Sequence, residues 1–252
     1  MCWSFTDDRF APHASSRPAG QEARERIAAV EQFMVAYGSA IDEIETKLRV
    51  LQREFTHTDS YSPIESVSTR LKSMQSLLRK ARKRDCHHFD DVRARVTDIA
   101  DIRVICSFTH DVYRVRNLLL AQDDVTLLEQ KDYVAHPKPN GYRSLHLIVE
   151  VPIFLSTGPQ PVPVEVQLRT IAMDFWASLE HKIYYKYDGD VPAHLLSELT
   201  TAAHTASRLD ADMERLHHEI SALRAANSAD DDHVLPEMLQ LISYFDSSSE
   251  RH

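Results

Sequence analysis

The sequence predicts an α+β fold: a central mixed β-sheet of about five strands surrounded by helices, with a long helix at each end of the chain. Three observations lead there. Apolar residues alternate at period 2 in five short stretches between Val67 and Arg169. Helix-period stretches separate several of them. Two longer seams, from Val30 to Phe55 and from Leu195 to Leu223, carry apolar residues alternately 4 and 3 apart, a helical spacing. A chain of 252 residues with 43% hydrophobic content fits one domain with helical additions better than two full domains.

Residues 1–20 are rich in Pro, Ser and Asp and are expected to be mobile. Residues 21–57 form the first helix, whose seam reads Val30, Met34, Tyr37, Ile41, Ile44, Leu48, Leu51 and Phe55. The central domain is expected over 58–190. It opens on a short strand in which Val67, Thr69 and Leu71 face inward and Arg70 and Lys72 outward. Ser73 is a fitting N-cap for a helix that places Ser76, Lys80 and Lys83 on one stripe. Helix dipole and cations would then converge on one anion, the alternative being a solvated basic face. Val104, Cys106 and Phe108 mark a central strand entered through Asp98 and Arg103. Thr109 caps the next helix, with Val112, Val115 and Leu119 as its apolar stripe, and a strand follows near Val125 to Gln130. His110-Asp111 reads as cap chemistry rather than a metal pair. The adjacent Cys86-His87-His88 seldom could converge on one ion.

The stretch from Lys131 to Arg169 is the most informative. Leu145, Leu147, Val149 and Val151 share one strand face, leaving Tyr142, Ser144 and His146 on the other. In the next strand Val164, Val166 and Leu168 face the core, and Glu165, Gln167 and Arg169 face away. Pairing the two strands lines one face with a ring, a hydroxyl, an imidazole, a carboxylate, an amide and a guanidinium, a mixture that a merely wet face rarely needs. Asn140-Gly141 supplies a tight turn that points Tyr142 into the same space. Thr170 then caps a helix expected to turn Phe175, Trp176, Leu179 and Ile183 inward, with Asp174 on its first turn. Residues 191–227 form the second long helix, with the seam Leu195, Leu199, Ala202, Ala206, Leu209, Met213, Leu216, Ile220 and Leu223. Over 228–252 an acidic break, a short helix from Val234 to Phe245 and a disordered tail are expected.

A net charge of −9 argues against a protein of bulk nucleic acid or anionic membranes. Between Arg70 and Arg103, however, ten Lys or Arg stand against five Asp, which suits a small phosphorylated ligand. The five glycines never cluster, so no P-loop, kinase loop or dinucleotide fingerprint is present, and side-chain cations must hold any phosphates. Three cysteines without C-x-x-C spacing, no signal-peptide pattern and no apolar run of 18 residues point to a reducing cytoplasm and no membrane.

Four segments in order, R-L-K-S-M-Q-S-L-L-R-K, D-I-A-D-I-R, D-Y-V-A-H-P-K-P-N-G-Y-R-S-L-H and V-E-V-Q-L-R-T-I-A-M-D-F-W, resemble the synthetase domain of the RelA/SpoT alarmone enzymes. The likeness runs from about Val67 to Tyr187 and is strongest to the small alarmone synthetases, with no room left for a companion hydrolase domain. It implies a nucleotidyltransferase-like domain that moves the β,γ-pyrophosphate of ATP to the 3′-hydroxyl of GDP or GTP, releasing AMP. By the same resemblance Asp98 and Glu165 hold Mg²⁺, with Arg103 and Lys72 in the catalytic set. Arg70 and Arg103 clasp adenine, and Lys72, Ser76, Lys80 and Lys83 meet the ATP side. Tyr142 stacks on guanine, Lys131, Lys138 and His146 face the acceptor phosphates, and Gln167, Arg169 and Asp174 position the acceptor. Glu165 on a metal is a weak base for the 3′-hydroxyl proton. The family is homotetrameric through its terminal helices, in some members with a regulatory alarmone in a central cleft. Two departures stand out: Asp101 where Gly is usual, with a left-handed turn expected there, and Asp174 where the small synthetases often carry Asn. Rival classes are a pyrophosphokinase acting on a tRNA 3′ end or an adenosine nucleotide, and a catalytically idle RNA-binding or regulatory relative.

Overall fold

The structure is a computed structural model and describes residues 19–58, 61–185 and 192–227. The expectations for 1–18 and 228–252 therefore lie outside the described residues. In chain order the elements are α1 (Ala19–Thr58), β1 (Ile64–Leu71), α2 (Met74–Lys83), α3 (Phe89–Arg95), β2 (Ala100–Cys106), α4 (Thr109–Leu120), β3 (Thr126–Asp132), β4 (Leu145–Leu155), β5 (Gly158–Thr170), α5 (Ile171–Tyr185) and α6 (Ala193–Asn227). The five strands form one mixed sheet in the order β1-β2-β5-β4-β3. Only the β2/β5 pair is parallel.

Alternation decides the two faces of the sheet. Ile102 and Val104 of β2, Leu145, Leu147 and Val149 of β4, and Val164, Val166 and Leu168 of β5 are fully buried. They join one apolar core with Tyr37, Ile44 and Leu48 of α1 and Val112, Val115 and Leu119 of α4. The seam of α1 is thus spent within the chain: every member from Tyr37 to Phe55 is buried, and Met34 packs at its edge. The central domain therefore covers this seam by itself. A five-stranded sheet has a whole apolar face to bury, and a 40-residue helix crosses it.

Other differences have local causes. Of Val67, Thr69 and Leu71, Val67 packs against the core as expected, whereas Thr69 and Leu71 stay exposed, because β1 is an edge strand in which Ile64 alone is buried. Phe108 lies beyond β2 and is itself the N-cap of α4, whose first residue is Thr109; the cap is closed by Asp111 Oδ2, which accepts from the Phe108 N–H at 3.1 Å. Asp111 is thus cap chemistry, as expected. On α5, Trp176 is buried but Phe175, Leu179 and Ile183 are 65%, 40% and 47% exposed, with Met173 and Ala177 buried in their place. The short helix α3 has no long apolar period to announce it. Its N-terminus is organised by Asp91, which accepts from the N–H groups of His87 and His88, both at 3.0 Å.

Candidate active site

The sheet face opposite the core carries the site, and register puts its residues in rows. One row runs Ser68, Arg103, Gln167, His146, Lys131 across all five strands; the next runs Arg70, Asp101, Glu165, Ile148, Glu129. Above these rows lies a cleft of about 430 Å³ lined by Arg70, Lys72, Asp98, Asp101, Arg103, Lys138, Asn140, Tyr142, Glu165, Gln167, Arg169 and Glu180. Cations wall both sides and carboxylates sit on the floor.

On the first side, Ser73 caps α2, accepting from the Ser76 N–H at 3.4 Å, and the helix carries Lys80 toward Asp98. Asp98 Oδ2 meets Lys80 Nζ at 2.6 Å and Lys72 Nζ at 3.0 Å. Burial works against its charge, but the two ammonium groups outweigh that and hold its carboxyl below the usual range. Its other oxygen, Oδ1, and the Nε of Arg103 are buried and meet no hydrogen-bond partner among the described residues. An acceptor and a donor so placed beside a cleft suit a bound cation and a ligand. Asp101 stands opposite Glu165; burial first, then that neighbouring carboxylate, raise its pKa. Its backbone is extended, so position 101 requires no left-handed turn, contrary to expectation.

The other side is one hydrogen-bonded web. His146 bridges the Tyr142 hydroxyl (Nε2, 2.7 Å) and Glu165 Oε1 (Nδ1, 2.9 Å). Gln167 Nε2 donates to Asp101 Oδ1 at 3.0 Å and to Glu165 Oε1 at 3.3 Å. Arg169, only 5% exposed, donates through Nη2 to Tyr142 and Gln167, both at 2.7 Å, and through Nη1 to Asp174 at 3.0 Å. Asp174 also pairs with Arg103 at 3.3 Å and so links the two walls. Lys138 Nζ rests 4.7 Å from the centre of the Tyr142 ring. The turn that presents Tyr142 is closed by the Asn140 side chain, which accepts from the Tyr142 N–H at 3.2 Å, and by Gly141 at φ +87°. A Cβ at Gly141 would collide with Ala203, so α6 buttresses this turn directly.

Not every expected residue reaches the cleft. Ser76 accepts from the Ser73 hydroxyl at 3.0 Å, and Lys83 is exposed at the end of α2. Lys131 pairs with Glu129 at 3.0 Å beside a separate small recess behind His146 and Glu165. Ser144, expected on the polar face, is buried and donates to the Leu168 carbonyl, because β4 begins only at Leu145. Glu180 was missed: it takes the Asn140 amide at 3.2 Å, and only the path of α5 away from β5 brings it there, which no spacing encodes. Away from the cleft, His110, Glu214 and His218 hold donor atoms within 4.8 Å of one another, a set able to bind a divalent metal. Among the described residues no helix is long and apolar enough to cross a membrane.

The model of a region found in RelA and SpoT proteins matches residues 69–190. The chain is 43% identical over 188 residues to the GTP pyrophosphokinase YwaC of Bacillus subtilis, spanning 74% of this chain and 90% of that protein. It is 39% identical over 200 residues to the GTP pyrophosphokinase YjbM of the same organism, spanning 79% and 93%. Among solved structures it is similar to small alarmone synthetase 1 from Bacillus subtilis bound to its product pppGpp, with a TM-score of 0.70 and 38% identity over 76% of this chain and 98% of that one.

Proposed function

This chain belongs to the RelA/SpoT family and is an enzyme of its small GTP pyrophosphokinase branch, and from that premise we propose that it transfers the β,γ-pyrophosphate of ATP to the 3′-hydroxyl of GDP or GTP, releasing AMP. The observation that carries this reading is the pair of cationic walls around a carboxylate floor, with Asp98 Oδ1 buried and unpartnered between them. Two polyanionic substrates need two such walls, and their reacting ends need a metal between them.

Asp98 and Glu165 would hold Mg²⁺, a hard ion satisfied by one or two protein carboxylates plus phosphate oxygens. When bound, it would polarise the attacked β-phosphoryl group and neutralise developing charge. Arg70 and Arg103, flat and weakly hydrated, suit stacking on adenine, while Lys72 and Lys80, now on Asp98, turn to the ATP phosphates with Ser76 and Lys83 at the outer end. On the acceptor side Tyr142 stacks on guanine, and Lys138 leaves its ring for phosphate. Lys131, now on Glu129, and His146, now between Tyr142 and Glu165, would turn from these partners to meet the acceptor's phosphates. Gln167 and Arg169 keep Glu165 and Tyr142 oriented, and Asp174 accepts the N1 and N2 hydrogens of guanine.

The test is an assay of purified protein with Mg²⁺, labelled ATP and, in turn, GDP, GTP, AMP or tRNA. AMP and a 3′-pyrophosphorylated guanosine nucleotide are expected. Transfer to AMP or tRNA alone would overturn the guanosine assignment, and no transfer at all would favour the idle relative.

A further inference from the structure

Where the start of α4 meets α6, three side chains from distant parts of the sequence converge. Glu214 and His218 lie four residues apart on α6 and so share one helical face, while His110 comes from the first turn of α4. His110 is held on several sides. Its N–H donates to Glu214 Oε1 at 3.0 Å, its Nδ1 lies 2.7 Å from the same oxygen, and its Nε2 lies 3.0 Å from the Tyr61 hydroxyl and 3.3 Å from Asp111 Oδ1. Asp111 has no exposed surface and also accepts from Tyr61 at 3.0 Å. If the His110 ring carries its proton on Nε2, toward the phenol and the buried carboxylate, the lone pair of its Nδ1 is turned toward Glu214. Two lone pairs facing each other need a proton or a metal ion between them, and the buried outer carboxylate behind the ring is the arrangement that orients and strengthens metal-bound histidines. His217 stacks on Phe108 with ring centres 4.4 Å apart, beside the same junction of α4 and α6.

We propose that His110, Glu214 and His218 form a binding site for a borderline divalent transition-metal ion of the Zn²⁺ class, distinct from the Mg²⁺ of the cleft. Two imidazoles and one carboxylate are the donors such ions select, whereas Mg²⁺ prefers oxygen alone. Tetrahedral coordination at about 2.0 to 2.1 Å sets donors roughly 3.3 Å apart, so Glu214 must withdraw by about half an ångström and His218 must close in. Both belong to a lightly packed helix. Among the described side chains of α6, Ala203 alone is buried. The helix is otherwise tied down by the bonds from Trp176 Nε1 to Leu199 O at 3.0 Å and from Thr170 to Asp210 at 2.7 Å. An ion at His110 would reinforce the tie that the His110–Glu214 bonds already make to the helix that buttresses the Gly141 turn and its Tyr142. The exposed His218 leaves the fourth position open to water.

The experiment uses the tag-free full chain, with Zn²⁺ and Co²⁺ each as the metal alone. One ion per chain with micromolar or tighter affinity is expected, together with a chelator-reversible rise in thermal midpoint and the visible absorption of tetrahedral Co²⁺. His218→Gln, on an exposed position that folding does not need, and Glu214→Gln should each weaken binding at least about tenfold and abolish the thermal shift. The Asp98→Asn/Glu165→Gln double variant should bind like the wild type. Equal affinity in His218→Gln and wild-type protein, loss of binding in the double cleft variant, or octahedral Co²⁺ spectra would each overturn the proposal.

Discussion

In the reaction we propose, the chemistry turns on Asp98 and Glu165, and the two are held differently. Asp98 is fixed by two ammonium groups, Glu165 by an imidazole and an amide. Changing either to its amide is expected to remove nearly all turnover, because charge stabilisation by a bound metal is worth several kcal/mol. Circular dichroism should show the fold intact; substantial activity in Asp98→Asn or Glu165→Gln would contradict their assignment. Tyr142 offers a second residue-scale test. Tyr142→Ala should weaken the guanine nucleotide by roughly 1 to 3 kcal/mol of stacking and leave ATP affinity nearly unchanged. Tyr142→Phe, which keeps the ring but loses the bonds to His146 and Arg169, should retain most of that affinity. Calorimetric titration of each nucleotide separates these outcomes, and equal losses for both substrates in Tyr142→Ala would count against the stacking role.

At the scale of the element, α6 is the piece whose attachment can be tuned. Asp210 receives the Thr170 hydroxyl at the helix–sheet junction, and its pKa is raised chiefly by burial, with Thr170 and Arg143 opposing and Glu214 adding. A folded pKa above the unfolded value means that ionisation costs stability at neutral pH, and that stability is recovered as pH falls through the folded pKa. Asp210→Asn keeps an acceptor for Thr170 without the charge. It should therefore raise the thermal midpoint at pH 7, with the difference vanishing below about pH 4, where the unfolded carboxyl is also protonated. A pH-independent difference would show that the hydrogen bond, not the charge, dominates. The two long helices also divide their tasks: α1 spends its seam on the sheet, whereas Leu209, Met213, Leu216, Ile220 and Leu223 of α6 are all more than 40% exposed.

For the whole molecule, that exposed stripe adjoins a groove of about 920 Å³ lined by Ile171, Phe175, Ala206, Leu209 and Met213. A continuous apolar face of this size suits burial against further copies of the chain. We therefore expect a closed symmetric oligomer, a tetramer, assembled through α6, with its central cleft open to a regulatory alarmone. The Leu209→Glu/Leu216→Glu variant should fall to smaller species in light scattering while keeping its helix content. A wild-type monomer at micromolar concentration would refute the assembly.

Much of this was legible in residue order. Alternation in 145–151 and 164–168 identified the central strands, and the mixed polar residues between those apolar positions identified the face of the site, because a strand must turn alternate side chains to opposite sides. The cap at Ser73, the turn at Asn140-Gly141 and the first-turn position of Asp174 were local chemistry and needed no partner to be read. What spacing alone left open was which apolar face meets which. The seams of α1 and α6 look alike as patterns, yet one lies on the sheet and the other stands bare from Leu209 onward, since periodicity states that a face must be covered and not by what. The same holds for His110: its neighbour in sequence made it part of a cap, and only the approach of α6, more than a hundred residues later, set Glu214 and His218 beside it. Contacts between distant segments follow from how the whole core closes, and that is a property of the folded chain.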